Sequence, residues 1–276
     1  MDVLILYESI TGNTAFGVEI IRQVLEKLGH GVSVKRYRDS VPAEIDGYDL
    51  YCFATPVQSF APLAPVWRFV REIPHGLGAP AFLFSTYGGI PGVAHALLAR
   101  EMRKRGFVII GSHLLPCETS FPVLRSVFGR FTKPLDLPAK RSLVKLVDFS
   151  AHMVTKAAML EAGLPVDLPA IRFLPGLTLA PALNAIHGGL RRALGARSVD
   201  LEACDLCGIC VEACPVSAIT MDRGPVFGRS CIGCWGCFNA CPRAAIRTNI
   251  ASPASYYSGL KNKESRLREI GLEPSD

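Results

Sequence analysis

The chain has 276 residues, 49% of them hydrophobic and 20% charged, and its 30 Lys and Arg against 24 Asp and Glu give a formal charge of +6. That is apolar material for one large domain or two small ones, and the basic residues are too scattered, with clumps only at Arg103-Lys104-Arg105 and Arg191-Arg192, for a nucleic-acid binder's stripe of cations and aromatics. No apolar run is long enough to span a bilayer, and Met1-Asp2 leads straight into an apolar strand without the features of a signal peptide, so a cytoplasmic location is expected.

Val3 to Tyr7 reads as a buried parallel strand. A helix-period segment follows, with Phe16, Ile20, Ile21, Val24, Leu25 and Leu28 apolar and Gly29 at its end. Further strands are expected at Val32–Val34, Tyr48–Ala54, Ala81–Phe84 and Phe107–Ile110, with helices at Ala64–Glu72 and Gly92–Arg105. This alternation predicts an α/β fold, a doubly wound five-stranded parallel sheet covered on both faces. Ligands of such sheets bind beyond the carboxyl ends of the strands, so the loops after strands one, three and four should share a site. The first of these, Ser9-Ile10-Thr11-Gly12-Asn13-Thr14, offers hydroxyls and successive amides at a helix N-terminus, which suits a phosphate. It has neither the Gly-Lys-Ser/Thr ending of a nucleoside triphosphate loop nor G-x-G-x-x-G, and taken alone it reads equally as a helix cap.

The other two loops are Ala54-Thr55-Pro56-Val57-Gln58-Ser59 and Ser85-Thr86-Tyr87-Gly88-Gly89. With them, residues 1 to 115 resemble flavodoxins and related iron–sulfur flavoproteins, most sharply at Ser9–Thr14. The resemblance implies FMN, its phosphate held by Ser9, Ile10, Thr11, Gly12, Asn13 and Thr14. It places Thr55, Pro56 and Val57 on one side of the ring and Thr86, Tyr87, Gly88 and Gly89 on the other, with Tyr87 as a stacking candidate. Flavodoxins are typically acidic around the flavin; this chain is basic overall, so a very low flavin potential is not carried over.

From Leu114 to Arg141 the prolines at 116, 122, 134 and 138 suggest an extended excursion, in which Phe121, Phe128 and Phe131 could cover something apolar. It reads as a lid, a partner surface or a packed insertion. Leu143 to Leu160 looks helical. Residues 162–198 form an apolar, proline-containing connector. Two readings stand for it: docking between domains, or a peripheral membrane or lipophilic contact through 171–195.

The chemistry is plainest from Cys204 to Pro242. Cys204-Asp-Leu-Cys207-Gly-Ile-Cys210-Val-Glu-Ala-Cys214-Pro215 is repeated as Cys231-Ile-Gly-Cys234-Trp-Gly-Cys237-Phe-Asn-Ala-Cys241-Pro242, each run C-x2-C-x2-C-x3-C-P. Zinc would favour two Cys pairs across a longer loop, and disulfides a secreted chain; neither explains two equal four-Cys runs. The spacing suits [4Fe–4S] clusters whose fourth ligand comes from the other run. One cluster is thus expected on Cys204, Cys207, Cys210 and Cys241, the second on Cys231, Cys234, Cys237 and Cys214, with Trp235 as a shield. Residues 199 to 247 resemble bacterial two-cluster ferredoxins, which implies one-electron transfer. Cys52 and Cys117 are the remaining, isolated thiols.

The expected organisation is a flavodoxin-like FMN domain (1–161), the connector (162–198), a small α+β two-cluster ferredoxin domain (199–250) and a polar tail (251–276) that carries no recognisable chemistry. The expected function is electron transfer between FMN and two [4Fe–4S] clusters, adapting one- and two-electron partners. The expected partner is a redox protein, reduced ferredoxin or a downstream reductase. Two alternatives are a terminal flavin-dependent reductase of a quinone or lipophilic unsaturated substrate, and a redox-sensing or assembly protein.

Overall fold

The computed structural model describes residues 1–75, 78–128, 136–171, 197–251 and 255–274. Five parallel strands, β1 (Asp2–Tyr7), β2 (Gly31–Arg36), β3 (Leu50–Gln58), β5 (Pro80–Tyr87) and β6 (Val108–Pro116), build the main sheet, and the short β4 (Ala61–Pro62) folds back antiparallel on β3. Across the sheet they run β2-β1-β3-β5-β6. Counting only the parallel strands, this is the 2-1-3-4-5 order of the flavodoxin-like doubly wound sheet.

Strand pleating sends alternate side chains of β1 to opposite faces. Val3 and Ile5 enter a core with α1 (Asn13–Lys27) and α5 (Lys140–Glu161), while Leu4 and Leu6 enter one with α2 (Ala64–Glu72) and α3 (Ala94–Lys104). All four are fully buried, which is why the sequence shows a continuous apolar run instead of alternation. α1 lies close on the sheet: a methyl group at Gly17 would sit 2.2 Å from Phe84 Cζ.

Two expectations need correction. β3 and β5 run past Ala54 and Phe84, where their apolar runs end; Thr55 pairs with Ser85 and Pro56 with Thr86. The ladder is made by backbone groups, so it outlasts the hydrophobic signal. The stretch after Leu114 is not one extended excursion: β6 continues to Pro116 and a helix, α4 (Pro122–Phe128), follows. Pro122 opens that helix, at a position where its missing N–H costs nothing.

The cysteine-rich part is small. β7 (Arg197–Val199) pairs antiparallel with β10 (Ile246–Thr248), and β8 (Ile219–Met221) with β9 (Pro225–Phe227). Between them lie α6 (Ile209–Glu212) and α7 (Gly236–Ala240). The tail continues to α8 (Lys263–Arg268). Most of the connector, including nearly all of 171–195, lies outside the described residues, as do Phe131 and the Phe128 side chain. Among the described residues no helix is long and apolar enough to cross a membrane.

Candidate redox site

The ends of β1, β3 and β5 meet at the carboxyl edge of the sheet. After β1, Gly12 takes a left-handed conformation (φ 84°) and starts α1. Ser9 Oγ accepts the Ala15 N–H at 3.2 Å and the Gly12 carbonyl accepts that of Phe16 at 3.0 Å. The amides of Ile10, Thr11, Gly12, Asn13 and Thr14 donate to no acceptor among the described residues. Thr14 and Thr86 are buried and joined hydroxyl to hydroxyl at 2.8 Å, which ties the first loop to the end of β5. Thr55 turns inward: its hydroxyl donates to the Pro56 carbonyl at 3.1 Å and accepts the Leu63 N–H at 3.3 Å, so it shapes the β3–β4 turn. Pro56, Val57 and Tyr87 are half-buried on the same edge. Gly88 lies against Thr119, where a methyl group would meet Cα at 2.5 Å, and Gly89 (φ 108°) is exposed. Gln58 Oε1 and Ser85 Oγ are buried without a partner among the described residues. Free amides suited to an anion, beside orphaned polar atoms in the two neighbouring strands, fit a flavin mononucleotide.

The two cysteine runs share one backbone. The second trails the first by 27 positions, and left-handed residues recur at that interval: Leu206 and Gly233, Gly208 and Trp235, Ser217 and Ala244. The amide of Ala218 donates to Cys214 Sγ at 3.2 Å, and that of Ala245 to Cys241 Sγ at the same distance. Cys204, Cys207, Cys210 and Cys241 line a single pocket, closed by Val199, Pro225 and Ile246 among others. Burial raises the Cys210 thiol, and charge at Cys241 adds to that. Burial pushes Cys234 up to about 11, with charge at Cys214 and Cys231 adding to it, and Cys237 up to about 12. Cys241 thus lies with the first three cysteines of the other run, and Cys214 lies near Cys234. Arg197 stacks on Trp235, its guanidinium carbon 4.5 Å from the ring centroid. Arg197 Nε and Nη2 and Trp235 Nε1 are buried without partners among the described residues, near Cys234 and Cys237. Orphaned donors among convergent thiols fit an anionic iron–sulfur cluster.

The second run faces the edge described above. A methyl group at Gly236 would lie 3.0 Å from Ile10 Cγ2, and Ile10, Ile232 and Cys234 all pack against the core that holds α2 and α3. Gln58 Nε2 donates to the Ile232 carbonyl at 3.1 Å, and Asn239 Nδ2 to that of Ser120 at 2.9 Å. Arg38 clasps Glu8 through two hydrogen bonds of 3.1 and 2.7 Å and sends its third nitrogen to the Glu212 carbonyl at 3.0 Å. Phe121 packs against Trp235 and the small core of this part. At the other end Cys207 is exposed, ringed by exposed Leu206 and Ile209. Sequence reasoning missed Glu8, Arg38, Arg197 and Asn239. Each is a single polar residue whose partner is remote in sequence, and only the capped ends of motifs announce themselves locally.

A family model for the 4Fe-4S binding domain matches residues 197–220. The chain joins a flavodoxin-like fold to a 4Fe-4S binding domain. Among solved structures it is similar to a flavodoxin from the domain Archaea (21% identity, 57% of this chain and 99% of that one, TM-score 0.42). It is also similar to oxidised Flavodoxin 1 from Bacillus cereus (17%, 56% and 98%, TM-score 0.44) and to rubredoxin oxygen:oxidoreductase from Desulfovibrio gigas (16%, 58% and 36%, TM-score 0.45). The flavodoxin-like assignment rests on strand order. No curated protein matches the sequence. A flavodoxin-like fold with a 4Fe-4S domain supports electron transfer as the general function.

Proposed function

We propose that this chain holds FMN and two [4Fe–4S] clusters and transfers electrons between them for a redox protein partner. The phosphate would lie on the amides of Ile10–Thr14 and the hydroxyls of Ser9, Thr11 and Thr14. Thr55, Pro56 and Val57 would flank the ring on one side and Thr86, Tyr87, Gly88 and Gly89 on the other. Cys204, Cys207, Cys210 and Cys241 would ligate one cluster, and Cys231, Cys234, Cys237 and Cys214 the second. When bound, FMN exchanges one or two electrons and each cluster one, so the set couples one- and two-electron partners.

The observation that carries this reading is the seating of the second cysteine run on the flavin edge through Ile10 and Gln58. This run is the inner one, and the first run, with exposed Cys207, is the end offered to a partner. Supporting the second cluster, which lies beyond the matched family model, is the 27-position repeat of left-handed residues. Asn239, Arg38 and Phe121 hold the lobe in place, and Arg197 aims buried donors at the inner thiols.

Anaerobic purification, acid extraction of the flavin, iron analysis and EPR test the proposal. FMN and two cubanes per chain are expected. Cys241→Ala should damage the cluster on Cys204, Cys207 and Cys210, and Cys214→Ala the other. Extraction of FAD, or no flavin after reconstitution, would remove the first half. Damage by Cys214→Ala confined to its own run would remove the crossed ligation.

A further inference from the structure

The tail after the cysteine runs returns to the loop that starts α1. Tyr257 donates its hydroxyl to Asn13 Oδ1 at 2.8 Å, and its amide to Asn239 Oδ1 at 2.9 Å, so one residue bridges the cysteine lobe and the loop. A methyl group at Gly259 would lie 3.1 Å from the Thr11 carbonyl oxygen. Beyond it, α8 is pinned: Leu267 is buried in the core beneath α1, and Arg266 pairs with Asp136 and donates to the Pro138 carbonyl. Arg268 pairs with Glu264 at 3.8 Å. The side chain of the exposed Lys263 makes no hydrogen bond or ion pair with any described residue. Its Nζ stands over Gly12, 3.3 Å from where a Cβ there would be.

This placement is electrostatically unfavourable as it stands. The start of a helix is its positive end, where a cation is repelled and an anion attracted. Here an ammonium group stands beside Gly12 at the start of α1, in the loop whose five amides have no acceptor among the described residues. An anion between them turns both sets of positive charge from cost to attraction. We infer that Lys263 is a phosphate ligand supplied by the tail, recognising the phosphate monoester of the flavin, with Tyr257 and Gly259 fixing the strap that carries it. The inference rests on the FMN reading and deepens it: the phosphate loop is completed by a cation from the far end of the chain, which makes the site selective for a phosphorylated flavin.

Dissociation constants of the deflavinated protein for FMN and for riboflavin, which lacks the phosphate, test this. Lys263→Met should weaken FMN by about tenfold, the size of one charge-assisted contact, and leave riboflavin unchanged. It should also flatten the loss of FMN affinity with added salt. Lys263→Arg should restore most of the affinity. Equal losses for both flavins would reduce Lys263 to a structural role and overturn the inference, as would unchanged FMN binding. Those failures leave the FMN reading standing, since the parent still binds. A parent that binds neither flavin removes that reading, and the role of Lys263 with it.

Discussion

At the scale of single residues, the buried groups without partners decide most. His95 lies in α3 with neither ring nitrogen bonded among the described residues; burial, and secondarily His113, lowers it to about 3. His113, lowered by burial and then by Lys145, sits at about 4. An unfolded histidine titrates near 6.5, so between that value and the folded ones the unfolded chain binds more protons and stability falls as pH falls. For His95 alone the slope is about 1.4 kcal/mol per pH unit in that window. His95→Leu removes the loss: its melting temperature relative to the parent should be constant above about pH 7 and rise as pH falls below about 6.5, and a constant difference throughout would contradict the assignment. Trp235 is the opposite case. It takes a left-handed conformation where the first run has Gly208, at a cost of order 1 kcal/mol. Contacts with Arg197 and Phe238 offset this, and only 2% of its surface is exposed. The cysteines were legible because their spacing is their chemistry. His95 and Lys263 were not, because a lone titratable residue acquires meaning only from neighbours brought by the fold.

At the scale of elements, the apolar runs of Val3–Leu6 and Ala81–Phe84 marked strands, and the spacing from Phe16 to Leu25 marked a helix, because burial on a regular element imposes its period on sequence. The β4 hairpin was silent, being two residues long and held by the Thr55 hydroxyl. So was the clasp that joins the end of β1 to α6. Glu8 is 1% exposed and its carboxylate is paired with Arg38 at 2.7 Å. Removing one partner of such a pair leaves a buried charge, typically at about 3–5 kcal/mol; Arg38 is partly exposed, so the lower end applies. Arg38→Met should therefore lower stability by about 3 kcal/mol in denaturant titration, and adding Glu8→Gln should recover part of it. The double variant should still lose the Glu212 contact and loosen the cysteine lobe, read as faster proteolysis after residue 197. If Arg38→Met proved neutral, the pair would be ornamental.

At the scale of the whole molecule, the proposed ordering of centres follows from which cysteine run faces the sheet. That ordering was illegible in sequence, since both runs have the same spacing and only the contacts of Ile10 and Gln58 distinguish them. A partner should therefore be served at the exposed end. Leu206→Asp should slow reduction by a reduced ferredoxin severalfold and leave reduction by dithionite unchanged in anaerobic stopped flow; equal slowing would place the entry elsewhere. The sheet edge is spoken for by the proposed flavin, and no G-x-G-x-x-G dinucleotide motif occurs in the sequence. NADH and NADPH should accordingly reduce the protein slowly or not at all. Rapid, saturable reduction by NADH would promote a reductase.

The tail's return also bears on how the molecule comes to be folded. Gln23 and Glu273 exchange hydrogen bonds across 250 positions, Lys27 donates to the Gly271 carbonyl, and Leu272 enters the same core as Phe16. Synthesis delivers α1 long before the segment that covers it. The first domain then waits on the ribosome with an open flank, and closing so long a loop is slow compared with local pairing. A fragment ending at residue 161 should therefore be aggregation-prone where the full chain is not, and cofactor loading should be most efficient after release.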